Sequence, residues 1–215
     1  TGIVDAVGTA GLLAHIEGRT STAVIGWLDA QPQAWRDQVT HVTIDLSASY
    51  AKAVRLGLPN AVIVADRFHL ASLGNGMLTD VRQRVTREDT GHRGRAIDPA
   101  WASRRRLVTG FENLSPQAFT RMWNGLIDTG APGIEILHAY TVKEDLRALL
   151  ALAGTNPTRA EIAHQLERFY RRAASSSAPE AHRLAETIEA WWPAIEAAIT
   201  TGYSNARSEG YNRLA

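Results

Sequence analysis

The chain contains no cysteine, and its apolar residues never form a long uninterrupted run. The absence of cysteine excludes disulfides, thiolate zinc sites and a cysteine nucleophile. No stretch approaches the roughly 20 apolar residues that a membrane-spanning helix needs, and the N-terminus lacks the charged and then apolar pattern of a signal peptide. We therefore expect a cytoplasmic protein that has no membrane partner.

A strong excess of either charge is also missing. The 215 residues include 23 Lys and Arg and 22 Asp and Glu, which gives a formal net charge of +1. Global charge therefore does not indicate a nucleic-acid partner, and any such contact must come from local clusters of basic residues. Because 45% of the residues are hydrophobic, the chain is apolar enough to bury a core.

The first third of the chain alternates short strands with amphipathic helices, a pattern typical of an α/β protein. From about Leu70 to Ile199 the strand pattern disappears and apolar residues recur at helical spacing. A break at Thr200-Thr-Gly202 precedes a last polar segment. These changes predict an α/β core over residues 1–70, an all-helical insertion over 71–199, and the start of another core helix over 200–215.

Two strand-like runs end on an aspartate. They are Val39–Asp45 and Ala61–Asp66, and a glutamate, Glu209, follows much later in a polar helical segment. Carboxylates delivered from strand ends and a helix are suited to hold a divalent metal, and this points to phosphoryl transfer on nucleic acid. The alternative is that the two aspartates are ordinary helix caps or turn formers.

A histidine, His69, follows Asp66 at a spacing of three residues. If a helix has already begun there, this spacing brings the imidazole and the carboxylate onto one face. His69 could equally be bonded only locally at a helix start. Arg67, between them, is either a solvated side chain or a phosphate contact.

Arginines are concentrated between residues 82 and 106, where Trp101 also lies. Such a cluster is suited to contact DNA phosphates, although a solvated pair of helices is an equal alternative. A further arginine, Arg207, lies beside Glu209. The arginines that we predict to contact DNA are Arg67, Arg82, Arg84, Arg104, Arg105, Arg106 and Arg207.

Several short segments match a known family in order and spacing. They include Val42-Thr-Ile-Asp-Leu-Ser-Ala-Ser49, Val64-Ala-Asp-Arg-Phe-His-Leu70, Gly94-Arg-Ala-Ile-Asp-Pro-Ala-Trp101 and the terminal Asn205-Ala-Arg-Ser-Glu-Gly-Tyr-Asn-Arg213. Together they resemble the catalytic domain of bacterial insertion-sequence transposases of the Asp-Asp-Glu type, in particular the ISL group. The resemblance covers nearly the whole chain.

The resemblance implies a ribonuclease-H-like α/β fold. In the family a large all-helical insertion interrupts the mixed sheet. Three strands precede the first helix of the family fold but only two precede it in this sequence, so the first strand is expected to be missing. We therefore expect a chain truncated at both ends. In the family the first strand carries the first catalytic aspartate, for which Asp5 is a poor substitute.

The resemblance also implies the roles of the remaining acids. Asp45 becomes the second catalytic acid and Glu209 the third, and both are metal ligands. Asp66 and His69 match an acid-x-x-His signature and are assigned to positioning near the catalytic centre. The expected cofactor is Mg²⁺, with Mn²⁺ as a substitute.

The implied activity is metal-dependent cleavage and strand transfer at the ends of an insertion sequence during DNA transposition. The expected partners are the terminal inverted repeats and the target DNA, with a homo-oligomer when the protein is full length and association with the bacterial nucleoid. One alternative is an inactive remnant that binds DNA or dimerises. Another is a different ribonuclease-H-like nuclease, such as a junction resolvase, although the long helical insertion argues against it.

Overall fold

A computed structural model describes residues 1–6, 11–18 and 20–204 of the chain. In it the chain is a mixed α/β protein that is mostly helical, as the sequence predicted. The strands are β1 (Gly2–Val4), β2 (Leu12–His15), β3 (His41–Ile44) and β4 (Val62–Ala65). The helices are α1 (Ser21–Asp29), α2 (Gln33–Arg36), α3 (Ala48–Gly57), α4 (Arg67–Thr90), α5 (Pro99–Ala102), α6 (Arg104–Val108), α7 (Pro116–Ile127), α8 (Ala131–Leu150), α9 (Arg159–Ala174), α10 (Pro179–Ala190) and α11 (Trp192–Thr201), with a 3-10 turn at Phe111–Asn113.

The chain divides into two compact units. The first contains Thr1–Leu70, Ala153–Asn156 and the residues from Trp191 onward, and the second contains Ala71–Leu152 and Pro157–Ala190. All four described strands lie in the first unit, and the described part of the second unit is helical.

The described strands of the first unit form two small sheets. β1 pairs with β2 in antiparallel fashion, and β3 pairs with β4 in parallel. Both types of pairing expected of a mixed sheet are therefore present. Between the described strands, however, no ladder joins the two pairs into the single sheet that the family resemblance implies.

The core of the first unit forms between β3 and the helices α1 and α3. Its fully or nearly buried members include Leu28 from α1, Ile44 from β3 and Val54 from α3. A hydroxyl caps the start of each helix, since that of Thr20 accepts from the amide of Ala23 and that of Ser47 accepts from the amide of Tyr50. Capped ends and one apolar face thus define each helix.

The helix α11 packs against β4 and therefore belongs to the first unit. Its inner face buries Ile195, Ala198 and Ile199, and Gly202 ends it in the left-handed conformation with φ of 72°. The sequence analysis placed this stretch with the helical insertion. Local periodicity marks a helix and its end but does not indicate which partner its apolar face will meet.

The second unit is organised around α8, which packs between α7 and α9. Its buried residues include Ile136, Val142 and Leu149. The segment Gly130–Gly133 contains turn-forming residues but is mainly the first turn of this helix. Proline fits the first turn of a helix because the amide it lacks would have no partner there.

No helix in the described ranges is both long enough and apolar enough to span a membrane.

The close contact between α1 and α3 depends on Gly57. A Cβ atom at this position would lie 2.6 Å from Cδ1 and 3.0 Å from Cβ of the buried Leu28. We expect Gly57→Ala to lower the free energy of unfolding by about 1 to 3 kcal/mol, because Leu28 is held in a packed core. Urea titration followed by tryptophan fluorescence measures this change.

The matched control is Gly26→Ala in α1, where an added Cβ would meet nothing within 4 Å. This change should be neutral or should stabilise by about 0.5 to 1 kcal/mol, as alanine does in exposed helix positions. Equal effects of the two substitutions would show that α1 and α3 do not pack closely at this point.

Candidate functional site

The parallel pairing of β3 with β4 brings Asp45 and Asp66 together. Ile44 is in register with Ala65, and the amide of Asp66 continues the ladder by donating to the Ile44 carbonyl at 3.0 Å. The next residue of each strand is therefore an aspartate at the same edge. Parallel strands end at one edge of a sheet, which is the reason that two acids 21 residues apart in sequence become neighbours.

The carboxylate of Asp66 is completely buried. One oxygen accepts from the amide of Phe68 at 3.4 Å, and the other lies 2.9 Å from Nδ1 of His69. Asp66 thus precedes and caps α4 while it also orients the histidine. The helix-cap alternative from the sequence is correct for this residue and does not exclude a role in a site. Partners of this kind are what a buried carboxylate requires.

The imidazole of His69 lies between the two aspartates. Its Nδ1 is 2.9 Å from Asp66 and 3.2 Å from Asp45, whose side chain is 42% exposed. The three side chains each offer a ligand atom, and all these atoms lie within 4.8 Å of one another. Two carboxylates and one imidazole are a donor set that fits a divalent cation.

A cleft of about 930 Å³ opens beside Asp45. The residues of β1 and of β3 line it, together with Asp5 and Asp45, which directly follow these strands, and with helical side chains such as Trp27 and Val54. The candidate centre therefore has one buried side, at Asp66, and one side that ligands can reach, at Asp45.

The family model DDE_Tnp_ISL3, described as a transposase, matches residues 1–215. The chain belongs to the ISL3-type family of DDE transposases. No curated protein and no solved structure matches it. Membership of this family makes DNA the partner of the protein and confirms the resemblance inferred from the short segments.

Two of the predicted site residues of this transposase chain, Glu209 and Arg207, lie outside the described residues. Their roles stay predictions. Arg67, in contrast, is described and donates to the Ala153 carbonyl at 3.4 Å within the first unit. It therefore ties the segment 153–156 to the start of α4.

Arg84 is occupied by acidic partners within the second unit of the transposase. Its guanidinium group donates to Glu180 at 2.8 and 3.0 Å, to Glu135 at 2.6 Å and to Glu88 at 3.1 Å. These bonds, chiefly that to Glu180, raise the pKa of Arg84. Its assignment as a DNA contact stays a prediction, while these surroundings favour a structural role.

Arg82 is 7% exposed, and burial together with the nearby Arg104 lowers its pKa. A side chain this buried is poorly placed to meet a phosphate.

The arginine triplet opens α6. Arg104 lies over the ring of Trp101, with its guanidinium carbon 3.4 Å from the ring centroid, and donates to the Trp101 carbonyl at 3.0 Å. Arg105 is exposed and Arg106 is partly exposed. Of the arginines predicted to contact DNA in the described ranges, these three form the contiguous basic surface.

The sequence analysis missed a second charged cluster. Asp145 of α8, which is 2% exposed, accepts from both Arg168 and Arg172 of α9. The signal available in the sequence was the spacing of four residues between the two arginines, which puts them on one helical face. The acid that pairs with them lies on another helix, so the sequence alone did not reveal the contact.

We expect Asp45→Asn to weaken Mn²⁺ binding by about tenfold or more, because an amide loses the charge that attracts the cation. Binding to the full chain can be followed by the loss of the free-ion signal in electron paramagnetic resonance. Asp29→Asn is the matched control, since Asp29 is exposed in the same unit and pairs with Arg36. Unchanged affinity in Asp45→Asn would exclude this centre as the metal site.

Proposed function

We propose that this chain is the catalytic part of a transposase that cuts DNA at the ends of an insertion sequence and joins them to a target. The observation that supports this most is the convergence of Asp45, Asp66 and His69 at the end of a parallel strand pair, in a chain that belongs to a transposase family. We further propose that the first unit is a ribonuclease-H-like core.

The cleft supports this proposal for the core. Residues of β1 and of β3 both line this cleft, whose volume is about 930 Å³. In this proposal the two strand pairs belong to one mixed sheet.

In this proposal Asp45 and Glu209 hold Mg²⁺, or Mn²⁺ in its place. Bound divalent cations supply charge stabilisation to the attacking and leaving oxygens of a phosphodiester in two-metal sites. The exposed carboxylate of Asp45 faces the ligand side. Nδ1 of His69 lies 3.2 Å from this carboxylate, and the buried Asp66 orients His69.

Carboxylates that hold a histidine in one orientation are common around metal centres, and here the same atom, Nδ1 of His69, also contacts Asp45. Asp66 already uses one oxygen for the Phe68 amide and the other for His69. We therefore assign Asp66 and His69 to positioning, and Asp45 and Glu209 to direct contact with the cation.

The proposed substrates are the terminal inverted repeats of the element and a target duplex. The proposed active form is a homo-oligomer of the full-length protein in the bacterial cytoplasm, associated with the nucleoid.

In the full-length protein, Asp45→Asn and Glu209→Gln should each reduce cleavage of a duplex that carries the element's end by at least about 100-fold, because metal catalysis requires ionised ligands. Cleavage is measured on labelled oligonucleotides with Mg²⁺, and binding of the same duplex with EDTA. Asp29→Asn serves as the control. Binding should be retained in all three variants.

The other outcomes separate the alternatives. A wild-type protein that binds the ends but never cuts them would be an inactive remnant. Cleavage of branched DNA without strand transfer would indicate a junction resolvase. Loss of binding in Asp45→Asn or Glu209→Gln would mean that these acids are structural.

Charge reversal at Arg104, Arg105 and Arg106 should weaken duplex binding and flatten its salt dependence. For every phosphate that the protein no longer neutralises, the slope of log K against log salt falls by about 0.9. Fluorescence anisotropy, measured over a range of salt concentrations, gives this slope. The control is Arg159→Glu, at an exposed arginine in the second unit. An unchanged slope in the triple variant would assign the triplet to an ordinary solvated surface.

A further inference from the structure

A second cleft lies wholly within the helical unit, and its volume is about 410 Å³. Its floor is α8, one wall carries aromatic side chains, and the opposite wall is the arginine-bearing face of α9. We name it the aromatic-arginine cleft. Its volume is near the lower end of the roughly 300 to 1,000 Å³ that small-ligand sites occupy, so it suits a single nucleotide and excludes a duplex.

The aromatic wall consists of Phe111, Phe119 and Trp123. The rings of Phe111 and Phe119 meet edge to face with centroids 5.1 Å apart, and Phe119 lies 5.4 Å from Trp123. Phe111 is 55% exposed although it lies in a cleft of a well-packed unit. Exposed aromatic faces of this kind are the surfaces on which unpaired bases stack.

The opposite wall presents two oriented guanidinium groups. Arg168 donates to Asp145 through Nε at 2.9 Å and Nη2 at 2.5 Å, and Arg172 donates through Nε at 3.0 Å. The carboxylate is buried, while the two arginine side chains are 41% and 45% exposed. Within the described residues, neither Nη group of Arg172 has an acidic partner.

The positive charge is distributed unevenly around the cleft. One carboxylate serves two guanidinium groups at the α9 wall, which leaves one net positive charge there. On the floor of the cleft, Arg147 of α8 pairs with Glu112 and Glu144, and the buried Lys143 lies 2.5 Å from Glu144, so those charges balance. An anion is therefore attracted to the α9 wall of the cleft.

From this combination, and on the basis of the proposed function, we infer that the aromatic-arginine cleft binds one unpaired nucleotide of a DNA strand, with its base on Phe111 and its phosphate at Arg168 and Arg172. The position of the cleft in the chain supports a DNA strand as the source. The 3-10 turn that carries Phe111 follows directly after α6 and its arginine triplet. The cleft is therefore close in sequence to the arginine triplet. An unpaired DNA strand that continues from a duplex bound at the triplet would reach Phe111 after a short distance.

The experiment measures binding of a short oligothymidine with one central 2-aminopurine to the full chain, in EDTA. Stacking on an aromatic ring quenches the fluorescence of this base. We expect quenching by the wild type, about tenfold weaker binding with Phe111→Ala because base stacking is lost, and clearly weaker binding with Arg172→Gln. The same base inside a blunt duplex should show no quenching by the protein.

The chain offers matched controls for both variants. Arg171 is the exposed neighbour of Arg172 and does not line the cleft, and Ile127 is a 45% exposed apolar residue away from it. Arg171→Gln and Ile127→Ala should bind like the wild type. Thermal unfolding of every variant shows whether weaker binding merely follows from loss of structure.

Several results would overturn the inference. If Arg172→Gln and Arg171→Gln bind the oligonucleotide equally well, Arg172 does not contact the nucleotide, and the ion pairs of Asp145 with Arg168 and Arg172 only connect α8 to α9. Competition by free thymidine monophosphate as strong as that of the oligonucleotide would indicate a small-nucleotide site. This binding assay involves neither metal nor cleavage. A negative result in it would therefore leave the proposed cleavage activity untouched, and a protein that fails to cleave DNA could still bind the unpaired nucleotide.

Discussion

The parallel pairing of β3 with β4 is the constraint on which the candidate centre depends. It places Asp45 and Asp66 at adjacent strand ends, and α4 then begins at once, so that His69 lies within 2.9 Å of one acid and 3.2 Å of the other. A shift of one residue in this register would turn alternate side chains to the other face of the sheet. The packing of α1, α3 and α11 on these strands therefore also protects the site.

The two units expose different kinds of functional residues. The first combines a buried carboxylate with a half-exposed one, an arrangement suited to a cation. The second contains most of the arginines and the exposed ring of Phe111, which are suited to phosphates and bases. The arginines of this unit differ in how many acids they contact. Arg84 forms ion pairs with Glu180 and Glu135, whereas Arg172 pairs through Nε with Asp145, and within the described residues its Nη groups donate to no acid.

Sequence reasoning was reliable where local chemistry decides the outcome. The strand ends before Asp45 and Asp66 and the helix end at Gly202 follow from residues that are close together in sequence. It was less reliable for partners. The placement of α11 on β4, the pairing of Arg84 with Glu180 and the sharing of Asp145 by two arginines join residues that are distant in sequence.

The sequence by itself determined the family, the order of strands and helices, and the candidates Asp45, Asp66 and His69, because each of these depends on residue type and short-range spacing. The tertiary structure alone decided which acid is buried, which arginines remain available, and that an aromatic-arginine cleft exists. These properties depend on long-range packing, which removes one side chain from water and leaves an identical one exposed. Exposure, more than residue type, separates Arg172 from Arg82.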